Sequence, residues 1–217
     1  MGRPIKIIGY LCFLMALCSC KETKEQQISR LIHEWEGRTI VYPADMTFSV
    51  LGKDSAGYSF PQNEYTIMTY VDSVGCTSCK LQLPTWKYFI SMVDTMANGK
   101  VSFLFAFHPK NKKEISFLLK RDRFLYPVFF DEKGVFDALN HFPSDVNFQT
   151  FLLDSQNKVI AIGNPVHNKK VRDLYLQIIT GRQTGVATSS QTKVVLDKKL
   201  DEMGDFDWKT PQTATFS

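Results

Sequence analysis

Cysteine is scarce in this sequence: there are five in 217 residues, and Cys12, Cys18 and Cys20 fall within the first twenty. Past that opening only Cys76 and Cys79 remain, which excludes a fold stapled by several disulfides. Histidine is equally sparse. His33, His108, His141 and His167 stand singly, with no His or Cys at ligand spacing, so a tetrahedral metal site at the two cysteines lacks about two ligands. Charge of one sign is also missing: 26 Lys and Arg are interspersed with 22 Asp and Glu, for a net charge of +4. The short clusters "KNKK" (110–113) and "KRDR" (120–123) read as solvated faces and loop ends, and no nucleic-acid partner is expected. Long apolar runs are absent too, since Ile7 to Leu17 is too short for a comfortable membrane span.

That short run has another reading. Arg3 and Lys6 precede it and no acidic residue interrupts it, the pattern of a secretory signal. Its end, Leu17-Cys18-Ser19-Cys20, resembles the bacterial lipobox. The resemblance implies cleavage before Cys20, lipid on the Cys20 thiol, and a membrane partner held through that lipid alone. The expected location is the cell envelope, periplasmic or outer-membrane associated, with Lys21 after the lipid site leaning toward the outer membrane. Exported chains meet conditions in which disulfides form and persist. Residues 1–19 are thus a signal peptide. Residues 20–37 are a tether and N-terminal helix, with Ile28, Leu31, Ile32 and Trp35 on one stripe. With 44% apolar residues the rest can bury one proper core.

The hydrophobic pattern then alternates between two periods. "RTIVYP" (38–43) and "MTFSVLG" (46–52) read as short strands, and "YTIMTYVDS" (65–73) as a buried strand. Thr77 to about Met96 is helical in period. "VSFLFAFH" (101–108) is nearly all apolar, as a strand covered on both faces must be. Helix follows at 112–124, strand at 126–131 and a short helix in "KGVFDALNHF". Strands 148–154 and 158–163 form a hairpin around Ser155-Gln156-Asn157, and a helix over 168–181 closes on Gly181. The order predicts an α/β sandwich with a mixed central sheet flanked by helices. After Gly181, residues 182–192 are a polar linker, and 193–217 alternate as exposed strands do, resembling the start of a truncated immunoglobulin-like β module.

Chemistry concentrates at "GCTSCKLQLP" (75–84). A cysteine in the first turn of a helix faces unpaired N–H groups and the positive end of the helix dipole, which favour its thiolate. Spacing i, i+3 brings the second sulfur to the same face within disulfide reach. Cys76 is the expected nucleophile and Cys79 the resolving thiol. A disulfide closing so small a loop adds little stability, so a structural staple explains the pair poorly.

The element order and the CxxC–x4–Pro spacing resemble the thioredoxin fold, over about residues 38–181. "YPVFFDEKGVFDALNHF" ahead of the hairpin is similar to the insertion of exported, membrane-tethered proteins of the TlpA and ResA type, and "YVDSVGCTSCKLQL" with "FLLD" is similar to lipoproteins of the Bacteroides group. The resemblance implies a membrane-anchored thiol–disulfide oxidoreductase acting on protein thiols or disulfides, with a separate electron donor and no cofactor. It also implies that Pro84 bends the CxxC helix. Three positions depart from the family: Gly75 stands where tryptophan is usual, Phe148 where a cis-proline is usual, and Gln82 where the TlpA type often has a proton-accepting Glu. Asp72 and Asp154, at strand ends, are candidate assistants or turn formers. The alternatives are a metal clip and a non-catalytic thioredoxin-fold binding module with a vestigial CxxC. A peroxidase of the peroxiredoxin type ranks below these, because no Pro-x-x-x-Thr-like loop precedes Cys76.

Overall fold

The computed structural model describes residues 23–54, 58, 60, 61, 63–73 and 81–181. The signal segment, Cys20, Cys76, Cys79, the linker and the C-terminal β module lie outside the described residues. The chain divides into two compact units. The described part of the first, residues 23–31, opens helix α1 (Lys24–Trp35). Thr23 and Gln26 exchange side-chain-to-backbone hydrogen bonds of 2.9 and 3.3 Å, a capping box that satisfies two of the helix's free N–H groups.

The second unit, Ile32–Ala187, carries the sheet. Its strands are β1 (Phe48–Val50), β2 (Lys53–Asp54), β3 (Tyr65–Val71), β4 (Val101–Phe107), β5 (Val128–Phe130), β6 (Thr150–Asp154) and β7 (Val159–Ile162). They join in the order β2-β1-β5-β4-β3-β6-β7. β3 and β4 are parallel, as are β4 and β5, whereas β6 runs antiparallel to β3 and β7 antiparallel to β6. Helices α2 (Leu83–Ala97), α3 (Lys112–Arg121), α4 (Val135–Asn140) and α5 (Lys169–Thr180) fill the connections and the C-terminal end. Two parallel strands joined through α2, then an antiparallel hairpin and a closing helix, make this a mixed α/β sheet of thioredoxin-like topology. The expected fold class is therefore what the backbone adopts.

Both faces of the sheet are covered. On one face Ile67, Phe105, Val128 and Leu152 pack with Trp86, Phe89, Ile90 and Val93 of α2 and with Val171, Tyr175 and Ile179 of α5. Fully burying one such side chain stabilises by about 1.5–3 kcal/mol, so this face carries much of the folding free energy. The other face is an aromatic layer: Trp35 stacks on Phe142 at 5.9 Å and meets Phe151 at 4.7 Å, while Tyr70 stacks on Phe142 at 4.6 Å. Local signals explain the helix ends. Asn111 and Asn168 accept N–H bonds at the starts of α3 and α5, and Gly181 takes the left-handed conformation that ends α5. Gly52, at φ +75, is required by sterics, because a Cβ there would lie 2.3 Å from Ser116 Oγ.

Two expectations need correction. "RTIVYP" is not a strand: Thr39 makes one isolated bridge to Lys158, Ile40 N–H donates to Asn157 O, and Val41 N–H donates to the Asn140 side chain. Its hydrogen bonds go to two separate places, the turn of the β6–β7 hairpin and the Asn140 side chain, instead of one ladder, and Pro43 has no N–H to continue one. The helix expected from Thr77 to about Met96 is, among its described residues, interrupted: Leu81 is helical, Gln82 is left-handed, and α2 begins at Leu83 with Pro84 in its first turn. Proline is tolerated there because first-turn N–H groups have no intrahelical partner to lose.

Candidate functional site

The segment holding Cys76 and Cys79 follows the carboxyl end of β3, so the groups at that end of the sheet are its surroundings in the chain. Val71 closes β3, and its carbonyl accepts the His108 N–H at 2.9 Å, tying the ends of β3 and β4 together. Asp72 follows directly. Its Oδ2 accepts a hydrogen bond of 2.7 Å from Gln149 Nε2, and the second Nε2 hydrogen goes to Pro143 O at 2.8 Å. Gln149 is 2% exposed and immediately precedes β6, and its backbone carbonyl accepts Tyr70 N–H at 2.8 Å. With both amide hydrogens committed to oxygen acceptors the carboxamide has one possible orientation, which leaves Oε1 buried and without a partner among the described residues.

The other expected residues are placed as follows. Phe148 is buried and ends a short 3-10 turn (Val146–Phe148) just before Gln149. Gln82 is the residue before α2, in a left-handed conformation at φ 38 and ψ 44, and Pro84 is exposed within the first turn of α2. A non-glycine residue held there stores about 1–3 kcal/mol of backbone strain, so the chain entering α2 is fixed by its packing. Leu81 and Leu83, each 2% exposed on either side of Gln82, supply that packing. The structure thus joins Asp72 to the neighbour of Phe148 and puts Gln82 beside Pro84. Sequence reasoning missed Gln149. A glutamine directly before an apolar strand was the available signal, but its partner lies 77 residues away.

His167 belongs to the loop between β7 and α5, with a buried Nε2 that has no hydrogen-bond partner among the described residues. Burial lowers its pKa below the usual 6.5. The folded state therefore holds the neutral ring while the unfolded chain protonates. Stability is full above about pH 6.5 and falls as the pH drops below it, by no more than about 1.4 kcal/mol per pH unit from this group. Urea denaturation between pH 7.5 and 5 should show that decline, and His167→Gln should flatten it. An unchanged slope in the variant would assign the decline to other groups.

No protein-family model matches the chain, and no curated protein matches it in sequence. Solved structures resemble it. StoA from Bacillus subtilis is 18% identical with a TM-score of 0.42, covering 57% of this chain and 88% of that one. The thioredoxin domain of a thiol-disulfide oxidoreductase from Bacteroides vulgatus is 15% identical with a TM-score of 0.44, covering 64% and 97%. A thioredoxin-like protein from Bacteroides caccae is 16% identical with a TM-score of 0.43, covering 76% and 58%.

Proposed function

We propose that the chain is a thiol–disulfide oxidoreductase acting on protein thiols or disulfides, held at the cell envelope by lipid on Cys20. The observation that carries this reading is the position of the CxxC in chain order, directly between buried strand β3 and helix α2 of a thioredoxin-like sheet. Cys76 as thiolate attacks one sulfur of a substrate disulfide; that S–S bond breaks, the leaving sulfur departs as thiolate and takes up a proton, and a mixed disulfide forms. Cys79 loses its proton and attacks the Cys76 sulfur, releasing the second substrate thiol. Two electrons have then passed from the dithiol to the substrate, and a separate donor must restore the pair. Asp72, held by Gln149, is the ionisable group nearest in sequence before Cys76. Gln82 is an uncharged amide and takes no proton at neutral pH.

A redox titration of the chain from Lys21 onward tests the reading. A reversible two-electron transition between roughly −270 and −120 mV is expected. A pair that stays oxidised well below that range would leave the non-catalytic binding module, the reading that Gly75, Gln82 and Phe148 in place of the cis-proline favour.

A further inference from the structure

The amino end of β3, opposite the strand end that the cysteine segment follows in the chain, borders a cavity of about 310 Å³ that the redox chemistry does not use. Thr66 and Leu104, 4% and 1% exposed, are deeply buried residues of its lining. Aromatic side chains supply much of the wall: Phe48 meets Tyr58 edge-on at 5.0 Å and stacks with Phe60 at 6.1 Å. Tyr42 completes it, its hydroxyl donating to Asn157 Oδ1 at 3.2 Å. Burial raises the pKa of both Tyr42 and Tyr58, so both are neutral phenols with electron-rich faces.

Among the described residues the lining has one formal charge. Asp154 is the acidic residue of the lining, and among the described residues no Lys or Arg lines the cavity. Asp154 Oδ1 is occupied, accepting N–H bonds from Gln156 at 2.8 Å and Lys158 at 2.9 Å in the hairpin turn. Its Oδ2 has no hydrogen bond among the described residues. A cavity with neutral aromatic walls, a single carboxylate and no basic residue attracts a cation with an apolar body and discriminates against anions. At about 30 Å³ for each water-sized atom, the space holds roughly ten heavy atoms.

We propose that this cavity binds a small ammonium ion on an apolar stem, the ammonium beside Asp154 and the stem between the aromatic side chains. The proposal is independent of the redox reading, because it uses neither cysteine nor any residue at the carboxyl end of β3. The same chemistry occurs in a free arylalkylamine and in a lysine side chain of another protein.

The test is a titration of the full chain, followed by NMR or calorimetry, with phenethylammonium, its neutral analogue 2-phenylethanol, and the blocked lysine Nα-acetyl-lysine N-methylamide. Phenethylammonium should bind at least about tenfold more tightly than 2-phenylethanol, and added salt should narrow the gap. Asp154→Asn keeps a side-chain oxygen for the turn while removing the charge, and it should abolish the difference between the two. Tyr58→Ala is the second variant and should weaken both probes. Blocked lysine binding more tightly than phenethylammonium would identify a lysine side chain as the occupant, and the reverse order a free amine. Equal binding of amine and alcohol, or binding of none of the three, would overturn the proposal.

Discussion

A chain carrying Cys76→Ser is expected to lose catalysed disulfide reduction by about three orders of magnitude or more, because the attacking group itself is gone. Serine is not appreciably ionised at neutral pH and cannot form the mixed disulfide, so no partial reaction remains. Cys79→Ser should behave differently: the first attack still occurs, but the mixed disulfide has no resolving thiol and accumulates as a covalent adduct. Turnover of a small protein disulfide by each variant, with mass spectrometry of the adduct, separates the two roles. Retained turnover in Cys76→Ser would sink the oxidoreductase reading. Adducts on Cys76→Ser rather than on Cys79→Ser would reverse the assignment of nucleophile and resolving thiol.

Where sequence and structure agree, the signal was local. The apolar run at 101–108 became β4 between two parallel neighbours, covered on both faces, which its lack of alternation required. Asn168 and Gly181 delimit α5 because each acts on N–H or C=O groups within one turn of itself. Where they disagree, the deciding partner is distant. The β-like composition of residues 38–43 was overridden by bonds to Asn140, Asn157 and Lys158, about a hundred residues on. At the candidate site the CxxC and the proline were legible as a spacing. The Asp72–Gln149 hydrogen bond was not, because it forms only when β6 has paired beside β3. The Asn111 cap of α3 was as local as that of α5, whereas the cap of α4 comes from Asp131 across a left-handed Gly134.

That last cap makes Asp131→Ala the substitution with the largest expected effect on stability. Asp131 is 2% exposed and follows β5. Its Oδ1 accepts Val135 N–H at 2.8 Å, and its Oδ2 accepts Phe136 N–H at 3.0 Å, Asp137 N–H at 3.4 Å and the Tyr70 hydroxyl at 3.3 Å. One carboxylate thus satisfies the free N–H groups of α4 and places negative charge at its positive end. Helix α4 in turn carries Phe136, which packs on Tyr70 and Phe142, and Asn140, whose side chain bonds Val41 in both directions. Removing the carboxylate leaves several buried donors unpaired at once and loosens the aromatic layer over that face. A loss of about 3 kcal/mol follows from the cap and the charged hydrogen bonds together, or a fall in Tm of roughly 6–12 °C for a domain of this size. Tyr70→Phe removes only the longer Oδ2 contact and should cost no more than about 1 kcal/mol. The two substitutions share an interaction, so the double variant should lose less than the sum of the singles in urea denaturation. Strict additivity would mean that the Tyr70 hydroxyl does not depend on Asp131, and a loss below about 1 kcal/mol for Asp131→Ala would mean that water caps α4 just as well.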